Sequence, residues 1–213
     1  TVSGFITSNQ SSTVCLGTTG LMTLHDSILP IVKWQLSTTG SSGPWLDIMS
    51  SAAPTKSFFN IPNSACYRVI HGGGADTSTV YCITVDDTSN AGTITGGGQQ
   101  CGIANGTMVA TSGVGTPLRW YSSPPGGPYT STGITTNSQP YNVTGTTYYA
   151  YVVKNGVCPA DTSRDTISII SYSEAGTATG SATNVCITSN TFSVSVPTGT
   201  TTGTITGWES ATS

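Results

Sequence analysis

The sequence predicts an all-β chain made of tandem β-sandwich units, and three observations carry that prediction. Only 7% of the 213 residues are charged, against roughly 25% in ordinary soluble proteins. Polarity comes instead from Thr, Ser, Asn and Gly. The branched Cβ of Thr packs well on a pleated surface, and Gly and Pro punctuate turns. Next, no window sets apolar residues at helical spacing without Gly, Pro or β-branched runs intervening. Finally, the chain repeats itself.

Three segments begin alike: Ser3-Gly4-Phe5-Ile6-Thr7, Ala91-Gly92-Thr93-Ile94-Thr95 and Ala175-Gly176-Thr177-Ala178-Thr179. Each leads to a cysteine, Cys15, Cys101 and Cys186, in steps of 86 and 85 residues. A tryptophan follows each cysteine: Trp34 and Trp120 after 19 residues, Trp208 after 22. Such a period is too long for a solenoid repeat and suits a small β-sandwich. The units are residues 1–87, 88–172 and a truncated third copy at 173–213. Short polar links around Asp86-Asp87-Thr88-Ser89-Asn90 and Ser171-Tyr172-Ser173-Glu174 separate them, so the units are expected end to end.

In unit one, β-type residues place strands at 21–25, 31–37, 45–48, 56–60, 66–71 and 79–85. Unit two repeats the scheme at 107–112, 118–122, 139–143, 147–154 and 164–170. Turn residues divide them, as in Gly40-Ser41-Ser42-Gly43-Pro44 and Pro124-Pro125-Gly126-Gly127-Pro128. The last two strands of each unit form a hairpin, turning at 71–76 and 155–161. Antiparallel strands at this spacing suit two packed sheets. An indole on the third main strand is where an immunoglobulin-like sandwich keeps its central aromatic. Trp34 and Trp120 are therefore core residues, each worth about 3–5 kcal/mol against Ala. That is a large share of the roughly 5–15 kcal/mol that holds a domain together.

Net charge is −3, and six Lys plus Arg supply no basic footprint for nucleic acid. No apolar run reaches the roughly 18 residues of a membrane span. The first nine residues lack the basic start and apolar core of a signal peptide. There are six cysteines but no Cys-x-x-Cys pair, and the two histidines stand apart. Disulfides fit better than a metal or redox site and place the chain in an oxidising, extracellular compartment. Cys66 and Cys82 fall opposite one another if Tyr67 faces Tyr81 across a turn near Gly74. The alternative pairs Cys15 with Cys66 or Cys82.

No constellation points to catalysis. His25, Asp26 and Ser27 are adjacent along the chain, whereas a nucleophilic triad needs side chains converging in space. His71 opens a Gly-rich turn and is expected in solvent. The runs Gly72-Gly73-Gly74 and Gly96-Gly97-Gly98 lack the helix and the Lys-Ser/Thr pair of a phosphate cradle. Asp86 and Asp87 could offer oxygens to calcium at the first link, but the second link carries only Glu174. Lys33 neighbours Trp34 and should point away from the core, which disfavours a self-formed isopeptide bond. Asp161 and Asp165 read as solvated turn residues. The chain is thus expected to be non-enzymatic, with no cofactor and no metal. Tyr121, Tyr129, Trp45 and Tyr141 are the aromatics that could stack on sugars.

Unit two, through Cys101-Gly102, Arg119-Trp120-Tyr121, Thr147-Tyr148-Tyr149 and Gly156-Val157-Cys158, resembles the immunoglobulin-like repeats of giant Bacteroidota cell-surface proteins. Unit one, through Val32-Lys33-Trp34-Gln35 and Tyr67-Arg68-Val69, is similar to a sister repeat. These modules accompany proteins exported by type IX secretion, including SprB-like gliding adhesins. The resemblance implies that the leading cysteine bonds to one in the final hairpin. That pairs Cys101 with Cys158, closes 57 residues, and adds about 4 kcal/mol on the loop-entropy model. Cys186 is then left without its partner by truncation. Asp26-Ser27-Ile28 and Asp165-Thr166-Ile167 resemble the O-glycosylation sites of that phylum, with Ser27 the better candidate and Thr166 the second. The implied role is a stalk or spacer of a surface adhesin, in gliding or attachment. Its partners would be other repeats of the same chain, and surface glycans or substratum. Alternatives are a carbohydrate- or matrix-binding module, or accessory domains of a secreted hydrolase.

Overall fold

The computed structural model describes residues 4–49, 52–74, 76–111 and 113–172, then 176–180, 194–196, 204 and 206–209. Unit one holds β1 (Phe5–Ser8), β2 (Thr13–Cys15), β3 (Gly20–His25), β4 (Ile31–Ser37), β5 (Leu46–Met49), β6 (Thr55–Phe58), β7 (Ala65–His71) and β8 (Tyr81–Asp86). They form a three-stranded sheet, β1-β3-β6, facing a five-stranded one, β2-β8-β7-β4-β5. Unit two holds β9 (Thr93–Thr95), β10 (Gly98–Cys101), β11 (Ala104–Thr111), β12 (Thr116–Ser123), β13 (Thr130–Ser131), β14 (Ser138–Val143), β15 (Thr147–Lys154) and β16 (Asp161–Ile170). Its sheets, β14-β11-β9 and β10-β16-β15-β12-β13, repeat the first pair strand for strand. Neighbours are antiparallel except where the leading cysteine's strand lies parallel to the last strand, β2 with β8 and β10 with β16. The chain is all-β, with immunoglobulin-like sandwiches in tandem.

Burial follows strand period. Along β3, Met22 and Leu24 are buried while Leu21 and His25 face out, as alternation on a half-buried strand requires. β7 is buried almost throughout, because it lies mid-sheet between β4 and β8. Each unit closes on its own core. Met22, Trp34 and Ile83 centre the first, Met108, Trp120 and Ile167 the second, all at 0–1% exposure. Each indole N–H donates to a carbonyl of the connection crossing between sheets, Trp34 to Ala53 at 3.1 Å and Trp120 to Thr136 at 2.9 Å. That satisfies the one polar group the burial would otherwise orphan.

A second feature also recurs. Gly20 pairs with Phe58 and Gly106 with Tyr141 across neighbouring strands. In both, the aromatic ring lies where a glycine side chain would begin, 2.4 Å from Phe58 Cζ and 2.6 Å from the Tyr141 hydroxyl. At both positions glycine leaves room for a ring from the neighbouring strand and is not serving a turn.

Several expectations change. The segments Phe5–Ser8, Thr13–Cys15, Thr93–Thr95 and Gly98–Cys101 are strands in their own right. They are short and flanked by turns, so local pattern under-reports them. His71 is fully buried rather than solvated, because β7 carries it to the end of the core before the turn at Gly72 begins. In the third segment, β17 (Thr179–Gly180) pairs with β18 (Val194–Ser195). Trp208 is 57% exposed, so a buried indole holds for the first two units only. Cys186 lies outside the described residues.

Candidate functional site at the junction of the two units

The leading strand and the last strand run parallel, so Cys15 sits beside Asp86, at the end of unit one from which the chain leaves. Leu16 N–H donates to the Asp86 carbonyl at 2.8 Å and fixes that register. At the other side of the junction, the β15–β16 turn of unit two is tight, with Cys158 N–H donating to the Asn155 carbonyl at 2.9 Å. A disulfide joins Cys15 to Cys158, with Cα atoms 4.9 Å apart. It is a bond between units, and Cys158 is completely buried by it.

Cys158 therefore does not pair with Cys101, which is a free, exposed thiol. The reason is geometric. Cys101 lies opposite Ile170 at the far end of β16, whereas Cys158 precedes the start of that strand at Asp161. Nine rises at about 3.3 Å separate those ends by roughly 30 Å, and a disulfide spans about 5.5 Å between Cα atoms. Cys15 likewise bonds neither Cys66 nor Cys82. Those two form a cross-strand disulfide between β7 and β8.

Residues between the disulfide and β9 are bound along their length to unit two. The Asp86 carboxylate accepts Val157 N–H at 3.0 Å. The Asn155 amide group donates to the Asp87 carbonyl, and Asn155 N–H donates to Ser89 Oγ, both at 2.9 Å. Asn90 and Val114 exchange backbone bonds at 3.0 and 2.8 Å. Ala91 N–H donates to Asp161 at 2.9 Å. That bond, with a second from Thr162, holds the Asp161 carboxyl below the ordinary carboxylate range. Gly156 makes the close approach possible: it has φ +49°, and a Cβ there would lie 1.8 Å from the Asp86 carboxylate. Asp86 thus serves as an acceptor for main-chain N–H, and Asp161, exposed as expected, also anchors the link.

Other candidates are dispersed. His25 stacks on Phe5 and meets Thr7 Oγ1 at 2.8 Å. Ser27 is exposed, donates to the Leu29 carbonyl, and lies 3.2 Å from His71 Nδ1. His71 Nε2 is buried and has no hydrogen-bond partner among the described residues. Thr166 is half-buried on β16 with its N–H on the Asp165 carboxylate. Lys33 pairs with Asp47 at 2.7 Å, and this bond, then one from Gln35, lowers the Asp47 pKa. Trp45 is covered by the Arg68 guanidinium at 4.3 Å. Tyr141 donates to the Gly96 carbonyl and packs on Tyr149. Tyr129 is exposed and Tyr121 half-buried on β12. Among the described residues, no three His, Cys, Asp or Glu side chains converge as a metal site needs. No described helix is long and apolar enough to cross a membrane.

The sequence offers Asp86 and Asp87 only as oxygens for calcium and Cys15 only as a partner for Cys66 or Cys82; instead Asp86 accepts a main-chain N–H and Cys15 bonds Cys158. The signal that could have found them is directional. A leading strand parallel to the last one must put its cysteine at the end of the unit opposite its own hairpin.

Residues 90–171 match a family model described as a domain of unknown function, DUF8696, which coincides with unit two. No curated protein matches the sequence. Among solved structures, a marsupial T cell receptor is similar with a TM-score of 0.52 at 13% identity, over 84% of this chain and 77% of that one. A calcium-stabilised, ice-binding adhesin of an Antarctic bacterium gives 0.39 at 13% identity, over 85% of this chain and 52% of that one. The four N-terminal immunoglobulin domains of a Dscam1 isoform give 0.39 at 9% identity, over 78% and 46%. The chain thus spans about half the length of the last two. At such identities the receptor likeness shows the fold alone.

Proposed function

We propose that the chain is a stiff spacer of an extracellular protein, in which immunoglobulin-like units are stapled in series so that they project whatever lies beyond them. The observation that carries this reading is the Cys15–Cys158 bond. Units joined only by a short linker reorient by default. Here a covalent link and the hydrogen bonds of residues 86–91 act on both sides of the same joint. Disulfides of this kind persist in oxidising compartments, which supports a place outside the cell. The resemblance to Bacteroidota surface repeats makes a gliding or attachment adhesin exported by type IX secretion the setting. Neighbouring repeats are then the principal partners.

Spin labels placed one in each unit give the distance distribution across the joint. A narrow distribution that broadens on reduction, or in Cys15→Ser, supports the spacer. An equally broad distribution with and without the bond overturns it. Glycan binding by the isolated chain, lost on Tyr129→Ala, would favour the recognition-module alternative.

A further inference from the structure

Cys101 occupies in unit two the place that Cys15 occupies in unit one. Both close a leading strand that runs parallel to the last strand of the unit, Cys15 opposite Asp86 and Cys101 opposite Ile170. Both are followed by the same bond, Leu16 N–H to the Asp86 carbonyl and Gly102 N–H to the Ile170 carbonyl, each 2.8 Å. Cys15 is bonded to the hairpin of the unit that follows it. Cys101 is free and exposed.

The path onward is also matched. From Asp86 five residues lead to Ala91-Gly92-Thr93, and from Ile170 five lead to Ala175-Gly176-Thr177. The two links are therefore equal in length. The surface around Cys101 differs in one respect. Ile170 stands where the first joint has Asp86, the Tyr172 ring lies against Gly102, and Ile103 is next to it. All three, Ile103, Ile170 and Tyr172, are exposed. That end therefore offers an apolar seat for a hairpin, where the first joint offers a carboxylate.

We propose that Cys101 is the half-cystine of a second staple, which bonds the hairpin cysteine of an immunoglobulin-like unit docked on the exit end of unit two. The partner is a β-hairpin turn of the Gly-x-Cys kind seen at Gly156-Val157-Cys158. The array then carries one disulfide per joint, each running forward from a leading strand to the next hairpin. Bond formation takes one proton and one electron from each thiol. The two electrons reduce a disulfide oxidant to two thiols. The proposal rests on the spacer reading and extends it along the array.

The test is a chimaera of residues 1–174 followed by a second copy of 91–172, the added copy marked with Thr162→Ser as a mass label. Peptide mapping without reduction is predicted to show Cys101 bonded to the labelled Cys158, beside an intact Cys15–Cys158 bond. Alkylation of Cys101 by iodoacetamide then drops from complete in the native chain to near zero. A free Cys101 in a chain whose first staple has formed overturns the proposal. So does a bond from Cys101 to another molecule. A second chimaera repeats 86–172 after residue 169, which gives both joints the same link. Cys101 remaining free there as well excludes a fault of the second link. Loss of the second staple leaves the first joint's distance distribution unchanged, so this failure is distinct from failure of the spacer reading.

Discussion

Cys15 and Cys158, 143 residues apart in sequence, are bonded across the boundary between two independently cored sandwiches. On the loop-entropy model a closure of that size is worth about 5 kcal/mol at most. Its larger consequence is mechanical, because each unit has its own core and does not need the bond to fold. Cys15→Ser is expected to leave both melting transitions recognisable. It should accelerate amide exchange at Val157, whose N–H is bonded across the joint to Asp86, and at Asn155, whose N–H is held by Ser89 of the link. Hydrogen exchange read by mass spectrometry checks this, and unchanged protection at those amides would contradict it.

The two indoles should be separable. Trp120→Ala is expected to cost unit two about 3–5 kcal/mol and leave the transition of unit one in place. Trp34→Ala should do the converse. Calorimetry resolves the two, and a melting point within a few degrees of the parent would reject the core assignment.

Gly156→Ala places a methyl group against the Asp86 carboxylate and forces a left-handed conformation on a residue with a Cβ. The backbone part costs about 1–3 kcal/mol, and the clash adds to it. In an Asp86→Ala background only the backbone part remains. Denaturant titration of the four proteins should therefore show coupling. Additivity would mean that the close approach does not exist in solution.

The joint should also weaken in acid. The Asp161 carboxyl, held low by Ala91 and Thr162 N–H groups, is harder to protonate folded than unfolded. Its contribution is complete above the ordinary carboxylate value near 3.9 and is lost as pH falls through the lower folded value. The group is largely exposed, so the effect is modest. Asp161→Asn should flatten the pH dependence of exchange at Ala91 between pH 5 and about 2. An undiminished dependence in that variant would assign the titration elsewhere.

Much of this architecture was legible in the chain. The spacing of Cys15 and Cys101, with Trp34 and Trp120 at equal distance beyond them, marks two copies of one sandwich, and β4 and β15 fall where β-branched runs place them. Local pattern could not reveal which end of a unit each cysteine occupies. That depends on β2 and β10 running parallel to strands some seventy residues away, a non-local pairing without a local signature. His71 was misread for a related reason. A histidine beside three glycines looks like a turn, yet its position at the end of a central strand buries it. Asp86 stood out only as a carboxylate for calcium and Gly156 only as part of the hairpin Gly156-Val157-Cys158, because their approach to one another arises only when two units meet.

The most direct test of the stapled joint is disulfide mapping of the native chain without reduction. One cross-linked peptide is expected to contain Cys15 and Cys158 and a second Cys66 and Cys82, while Cys101 alkylates freely. A peptide joining Cys101 to Cys158, or Cys15 to either Cys66 or Cys82, would contradict it.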